Sequence, residues 1–263
     1  MNSTLTNNTP QNSSKIIQDF IEAISNNDLG RIKELEKKDN IKKHLTQTQF
    51  HKSLVSICYD NKFNILEHIL QSRHFKKYIN TPNSILTKLT LLRIACKEGH
   101  LEIVSLLMKG PKFKIYYEME ELNDCFRLAC KRGHVDTANY LLTSSDLDVN
   151  VSVDADCYSG LITACEEGKL EIVNFLLNSP NIIPIEIEKL DSQVISEIFK
   201  YGNIEVIKYF IFEMNVGITI LDKVYNNISR KEELQLLFDL RELNNKLDNN
   251  LKKENTFKHK MKI

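Results

Sequence analysis

Apolar and polar positions repeat in one frame along most of the chain. The runs GHLEIVSLLM, GHVDTANYLL, GKLEIVNFLL and GNIEVIKYFI open at Gly99, Gly133, Gly168 and Gly202, which stand 34, 35 and 34 residues apart. The frame extends back to NKFNILEHIL at Asn61 and NDLGRIKELE at Asn27, themselves 34 apart. Self-similarity at this period marks a solenoid of stacked units, each one supersecondary motif.

The column of Asn27, Asn61, Gly99, Gly133, Gly168 and Gly202 contains only Gly and Asn. These residues adopt positive φ most readily, so the column predicts a helix C-cap or a sharp turn between two helices. Seven residues before it stand Phe20, Leu54, Leu92, Phe126, Leu161 and Ile195, and four before it Ala23, Ile57, Ala95, Ala129, Ala164 and Ile198. That spacing places both columns on one face of a first helix. The frequent Ala predicts close approach of neighbouring helices.

Two residues after the turn come Leu29, Phe63, Leu101, Val135, Leu170 and Ile204, and eight after it Leu35, Ile69, Leu107, Leu141, Leu176 and Phe210. With intervening pairs such as Ile103–Val104 and Ile172–Val173, these columns predict the buried stripe of a second helix. Neither helix buries its stripe alone, so the units must stack. The expected unit is a helix, a tight turn, a longer helix and an extended connection.

This pattern resembles the ankyrin repeat, whose motif runs T-P-L-H-x-A-x-x-x-G-H before an apolar second helix. Thr90, Leu92, Ala95, Gly99 and His100 match it, while Leu91 and Arg93 replace the family's Pro and His. Gly133-His134, the stretch Asp146-Leu147-Asp148-Val149-Asn150 and the helix start at Ser159-Gly160-Leu161 with Ala164 add to the match. The missing Pro concerns rigidity at the helix start, where Pro presets φ. The resemblance covers roughly residues 16–240 and implies an all-α solenoid of six to seven units with short extended fingers. Residues 1–15 are expected as a disordered tail and 241–263 as a polar, basic one. Ile228 and the run Leu234, Leu236, Leu237 and Leu240 suggest a weak seventh unit closing the array.

Lys+Arg and Asp+Glu both number 35 among 263 residues, so global charge does not point to nucleic acid or acidic lipid. No apolar stretch is long enough to span a bilayer, and the opening MNSTLTNNTPQNSSK lacks the apolar core of a secretory signal. A cytoplasmic or nuclear protein is expected. The Cys58, Cys96, Cys130 and Cys165 column invites a metal or redox reading. Corresponding helices pack about 8–10 Å apart, too far for a ladder of disulfides or a shared zinc, so buried free thiols are expected. Cys125 and Cys157 lie outside that column, where an exposed reactive thiol is the alternative. His100 and His134 follow the turn once per unit, a repeat feature for local hydrogen bonding. His44, His51, His68, His74 and His259 show no ligand spacing.

Glu166–Glu167 and Asp154–Asp156 read as solvated faces, and Glu102, Asp136, Glu171 and Glu205 as first-turn charges. No nucleophile elbow, phosphate loop or dinucleotide motif occurs, so no enzyme, cofactor, metal or small-molecule substrate is expected. A monomeric scaffold for unidentified protein partners is the resulting expectation.

In ankyrin-like arrays the fingers and the exposed side of the first helices form a concave recognition surface, as the resemblance implies. Here the two positions before each turn vary: Tyr59-Asp60, Lys97-Glu98, Lys131-Arg132, Glu166-Glu167 and Lys200-Tyr201. A basic step beside an acidic one steers a partner and sets its register. Lys97, Tyr116, Tyr117, Arg127, Lys131, Arg132, Tyr158, Glu166 and Glu167 are the candidate contacts, Tyr and Arg being favoured hot-spot types. The 38-residue step from Asn61 to Gly99 predicts an enlarged finger over His74–Lys88. The basic tail at Lys252, Lys253, Lys258, Lys260 and Lys262 supports an alternative, a nucleic-acid- or membrane-associated accessory protein.

Overall fold

A computed structural model describes residues 10–38, 41–79, 84–109, 119–144, 155–178, 190, 192–219 and 228–260. Six helix pairs follow one another: α1 (Pro10–Ser25) and α2 (Leu29–Lys38), α3 (Gln47–Tyr59) and α4 (Phe63–Gln71), then, after the short α5 (Lys76–Ile79), α6 (Ser84–Glu98) and α7 (Leu101–Lys109). After these come α8 (Met119–Arg132) and α9 (Val135–Thr143), α10 (Ala155–Glu166) and α11 (Leu170–Asn178), α12 (Ser192–Tyr201) and α13 (Ile204–Lys208). A π-helical turn, Tyr209–Glu213, extends α13, and α14 (Ile228–Lys260) ends the fold. Among the described residues there is no strand. The fold is the all-α ankyrin-type solenoid that the period predicts.

The turn column does what its residue types predict in five repeats of six. Asn27, Asn61, Gly99, Gly133 and Gly168 have φ of 54°, 53°, 76°, 87° and 70°. At Asn27 the Asp28 N–H donates to the Ala23 carbonyl at 2.8 Å and the Asn27 N–H to Ile24 at 3.0 Å, which is a Schellman cap. The same five-residue reach recurs from Lys62 to Ile57, His100 to Ala95 and Lys169 to Ala164.

Gly202 departs from this. Its N–H makes an ordinary helical bond to Ile198, 2.8 Å, and its φ is not positive. Glycine is needed there for space, since a Cβ would collide with the Ile198 carbonyl oxygen. Asn203 then starts α13 with its side-chain oxygen on the Glu205 N–H at 2.9 Å, while its own N–H reaches the Cys165 carbonyl at 2.7 Å.

The first-helix columns seven and four before the turn are buried throughout, as is the column eight after it. The column two after the turn is not. Leu29, Phe63, Leu101, Val135 and Ile204 are only half-buried, and Leu170 is exposed. At 100° per residue this column stands more than 100° from the centre of the stripe formed by the columns four, five and eight after the turn, so it lies on the flank of each second helix. The core instead takes the columns four and five after the turn, such as Ile65–Leu66, Ile103–Val104 and Ile172–Val173.

Packing divides the chain into two units, Met1–Ala129 with Asp136–Val151 and Cys130–Val135 with Ser152–Ile263. In the first unit the first helices α1, α3 and α6 stack in order, and α4 stacks on α7. Phe50 packs on Phe75 and Tyr78 with ring centroids 5.3 and 4.8 Å apart, and Phe20 meets Phe75 at 5.8 Å. The Tyr78 hydroxyl donates to the Leu45 carbonyl at 2.6 Å. The front of the expected enlarged finger therefore turns inward, with Phe75, Tyr78 and Ile79 buried. Three large apolar side chains gain more from burial than from display to water. α1 begins at Pro10, inside the stretch expected to be disordered. It is anchored by buried Ile16 and Phe20 and by Ser13 Oγ, 2.9 Å from His44 Nδ1.

In the second unit α10 packs on α11 and α12, and Phe199 stacks with Phe210 at 5.9 Å. In place of a seventh helix–turn–helix unit, α14 is one continuous helix of 33 residues running across the 240–241 boundary. Its Leu234, Leu237 and Phe238 are buried. Arg230 donates to the carbonyls of Phe199 and Gly202 at 2.9 and 2.5 Å, and Arg241 to those of Ile211 and Val216 at 3.0 and 2.6 Å. The helix thus closes the open face of the last repeat and satisfies its backbone.

Candidate interaction surface

Burial separates the columns by role. Beside the buried small-residue column, Cys58, Cys96, Cys130 and Cys165 form no disulfide and are fully buried, as is Cys125. Burial pushes the Cys58 thiol from 9.0 up to about 12 and raises Cys165 further. Cys96 rises first through burial and then through its hydrogen bond to Cys125. Cys125 is therefore a core residue rather than an exposed reactive thiol; its neighbours on α8, Leu122 and Phe126, are buried with it. The Cys157 side chain lies outside the described residues.

The histidines hold neighbouring segments together. His100 Nε2 donates to the Tyr59 carbonyl at 3.1 Å, reaching the preceding repeat rather than making the local bond expected of it. His68 Nε2 lies 2.9 Å from Glu36 Oε2, whose side chain is buried. Among the described residues no three His, Cys, Asp or Glu side chains gather as a metal site. No helix among them is long and apolar enough to cross a membrane.

The variable positions form the outer skin of the first helices. In the first unit Lys97 pairs with Glu98 at 3.2 Å. Asp124 sits between Arg127, with which it pairs, and Arg93, whose Nη1 is 3.1 Å away. Arg127 is thus displayed on a small ionic cluster. Arg93 and Asp124 were not among the sequence candidates, although Arg93 stands where the resembled motif has His. The single signal for the pair is their 31-residue spacing, close to one repeat.

In the second unit Lys131 and Arg132, in the last turn of α8, are exposed, as are Glu166 and Glu167 in the next repeat. Lys131 Nζ lies 3.2 Å from Glu167 Oε1, so the basic and acidic steps neutralise each other in part. Such an exposed pair contributes little to stability, about 0–1 kcal/mol. Arg132 and Glu166 remain as exposed charges beside the pair. Tyr158 and Glu166 line a shallow cavity of about 500 Å³ between α10 and α12, with Ile162, Gln193, Val194 and Glu197. Tyr201, 57% exposed, continues this skin beneath the Lys200 ammonium, 4.8 Å from its ring. Tyr116 and Tyr117 lie outside the described residues.

A second surface lies outside the positions expected from the sequence. Phe63, Leu101, Leu106, Lys109 and Tyr140 line an apolar cleft of about 610 Å³ on the outer side of the second helices α4, α7 and α9. The column two after the turn, assigned to the core, contributes two of these walls. Its signal was the size of its residues, which never include the Ala found in the tightly packed first-helix column.

Residues 53–153 match the family described as ankyrin repeats (3 copies). No curated protein and no solved structure matches the chain. Ankyrin repeats as a class mediate protein–protein interaction. Repeating helix pairs, the positive-φ turn that joins most of them and the family match together identify residues 53–153 as a run of ankyrin repeats.

Proposed function

We propose that the chain is a non-catalytic scaffold that captures a protein segment on the exposed side of its first helices. One observation carries this reading. The columns seven, four and three residues before each turn are buried, while side chains one and two before it are exposed or, at Lys97, Glu98 and Lys200, half-buried, and change type from repeat to repeat. A surface held by an invariant core and varied only at its skin suits recognition rather than chemistry.

In the second unit the skin offers an aromatic wall, Tyr158, beside the carboxylates of Glu166 and Glu197. That chemistry favours a segment carrying a basic residue next to an apolar one, with charge setting its register and the aromatic its affinity. Partners recovered by affinity purification from cells are expected to be lost on Glu166→Lys combined with Tyr158→Ala. Melting temperature should shift little, because Glu166 is exposed and Tyr158 only half-buried. Undiminished recovery of the same partners by that variant would overturn the assignment of this face.

A further inference from the structure

We propose that α14 carries a self-association surface, pairing antiparallel with the same helix of a second copy of this chain. The helix has two distinct faces. Arg230, Leu234, Leu237, Phe238 and Arg241 turn toward the last repeat, as the buried leucines and the arginine–carbonyl bonds require. On another face Leu236, Leu240, Leu243, Leu247 and Leu251 are 61, 44, 54, 52 and 56% exposed. At 100° per residue these five leucines fall within an arc of about 80° and run for about 22 Å. Isolated exposed leucines are ordinary, but a continuous stripe of this kind marks an interaction surface.

Charge identifies the occupant. Beside the stripe the first half of the helix exposes Glu232, Glu233 and Asp239, of which Glu233 pairs with Arg230 of the same helix. The following stretch exposes Lys246 and Lys253 on the Asp239 side of the stripe and Asp248 on the other, with Lys246 lying 2.7 Å from Glu242 within the helix. An antiparallel second copy sets the acidic half against the basic half, whereas a parallel copy sets like against like.

The leucine spacing is self-complementary in that orientation. Leu236 and Leu251 share one midpoint with Leu240 and Leu247, between Leu243 and Asn244. A dyad at that point pairs Leu236 with the second copy's Leu251 and Leu240 with its Leu247, and brings the two Leu243 side chains together. Asp239 and Lys246, on the same flank of the stripe, then meet across the dyad. The contact is isologous and closed, which limits assembly to a dimer. Four turns of helix form a short coiled coil, but the array already holds the first half of α14 in place. Less ordering cost therefore opposes association than for a free peptide.

Sedimentation equilibrium on the full chain tests this. The wild type is expected to show a concentration-dependent monomer–dimer equilibrium, and Leu243→Lys with Leu247→Lys to remain monomeric with an unchanged melting transition. Lys246→Glu should weaken the dimer by about tenfold, and adding Asp239→Lys should restore it. For orientation, Leu236→Cys and Leu251→Cys proteins should form a disulfide when mixed and neither should form one alone. A wild type monomeric at every concentration, a dimer indifferent to the leucine substitutions, or cross-linking of Leu236→Cys with itself would overturn the proposal.

Discussion

Gly133 holds φ at 87°, and the nearest obstacle to a Cβ there is the flexible Lys169 side chain at 3.3 Å. Backbone strain rather than lack of room therefore decides what the site accepts. Gly133→Val is expected to lower the free energy of unfolding by about 2–3 kcal/mol, because a β-branched residue is a poor occupant of positive φ. Gly133→Asn should cost clearly less, since Asn27 and Asn61 hold φ of 54° and 53° in the same column. Urea denaturation of both variants checks this, and equal losses would remove the φ argument. This column was legible from residue type because the preference for positive φ is local. Gly202 was not, because its requirement is a carbonyl oxygen in the way, and room cannot be read from a residue's own preferences.

Within the first helices, the cysteine column is as buried as the small-residue column beside it. Spacing alone supported buried thiols, since helix packing holds equivalent positions too far apart to bridge. The consequence is alkaline instability. Cys58 ionises near 9.0 when unfolded and near 12 when folded. The folded state thus keeps its proton where the unfolded state has lost it. This contribution is fully present below pH 9 and is lost as pH rises toward 12, by about 1.4 kcal/mol per pH unit. Cys96 and Cys165 are raised in the same direction and add to the slope.

The urea midpoint of wild type should therefore fall more steeply above pH 9 than that of a Cys58→Ala, Cys165→Ala variant. A parallel fall would show that other groups govern the loss. The second helices depart further from their apolar period. A hydrophobic period identifies the apolar columns, but Leu101 and Phe63 sit on the first turn and line an outer cleft. Apolar character alone does not say which neighbour, or water, a side chain will face.

For the molecule as a whole, the last repeat is completed by a helix of a different kind. α14 lays two arginines on four carbonyls that no further repeat covers. Arg241→Met should destabilise by about 1–3 kcal/mol, because apolar replacement leaves the Ile211 and Val216 carbonyls without their donor. Thermal unfolding checks this against Lys231→Gln, an exposed change on the same helix that should be silent. The sequence by itself determined the period, the helix–turn–helix unit, the turn residues and the buried columns, since each follows from helical periodicity and local backbone preference. Only the tertiary structure decided that Phe75 and Tyr78 fold inward, that Lys131 and Glu167 neutralise each other, and that the final leucines divide between a cap and an exposed stripe. Those outcomes depend on which surfaces meet across repeats, and residue spacing along the chain does not encode that meeting.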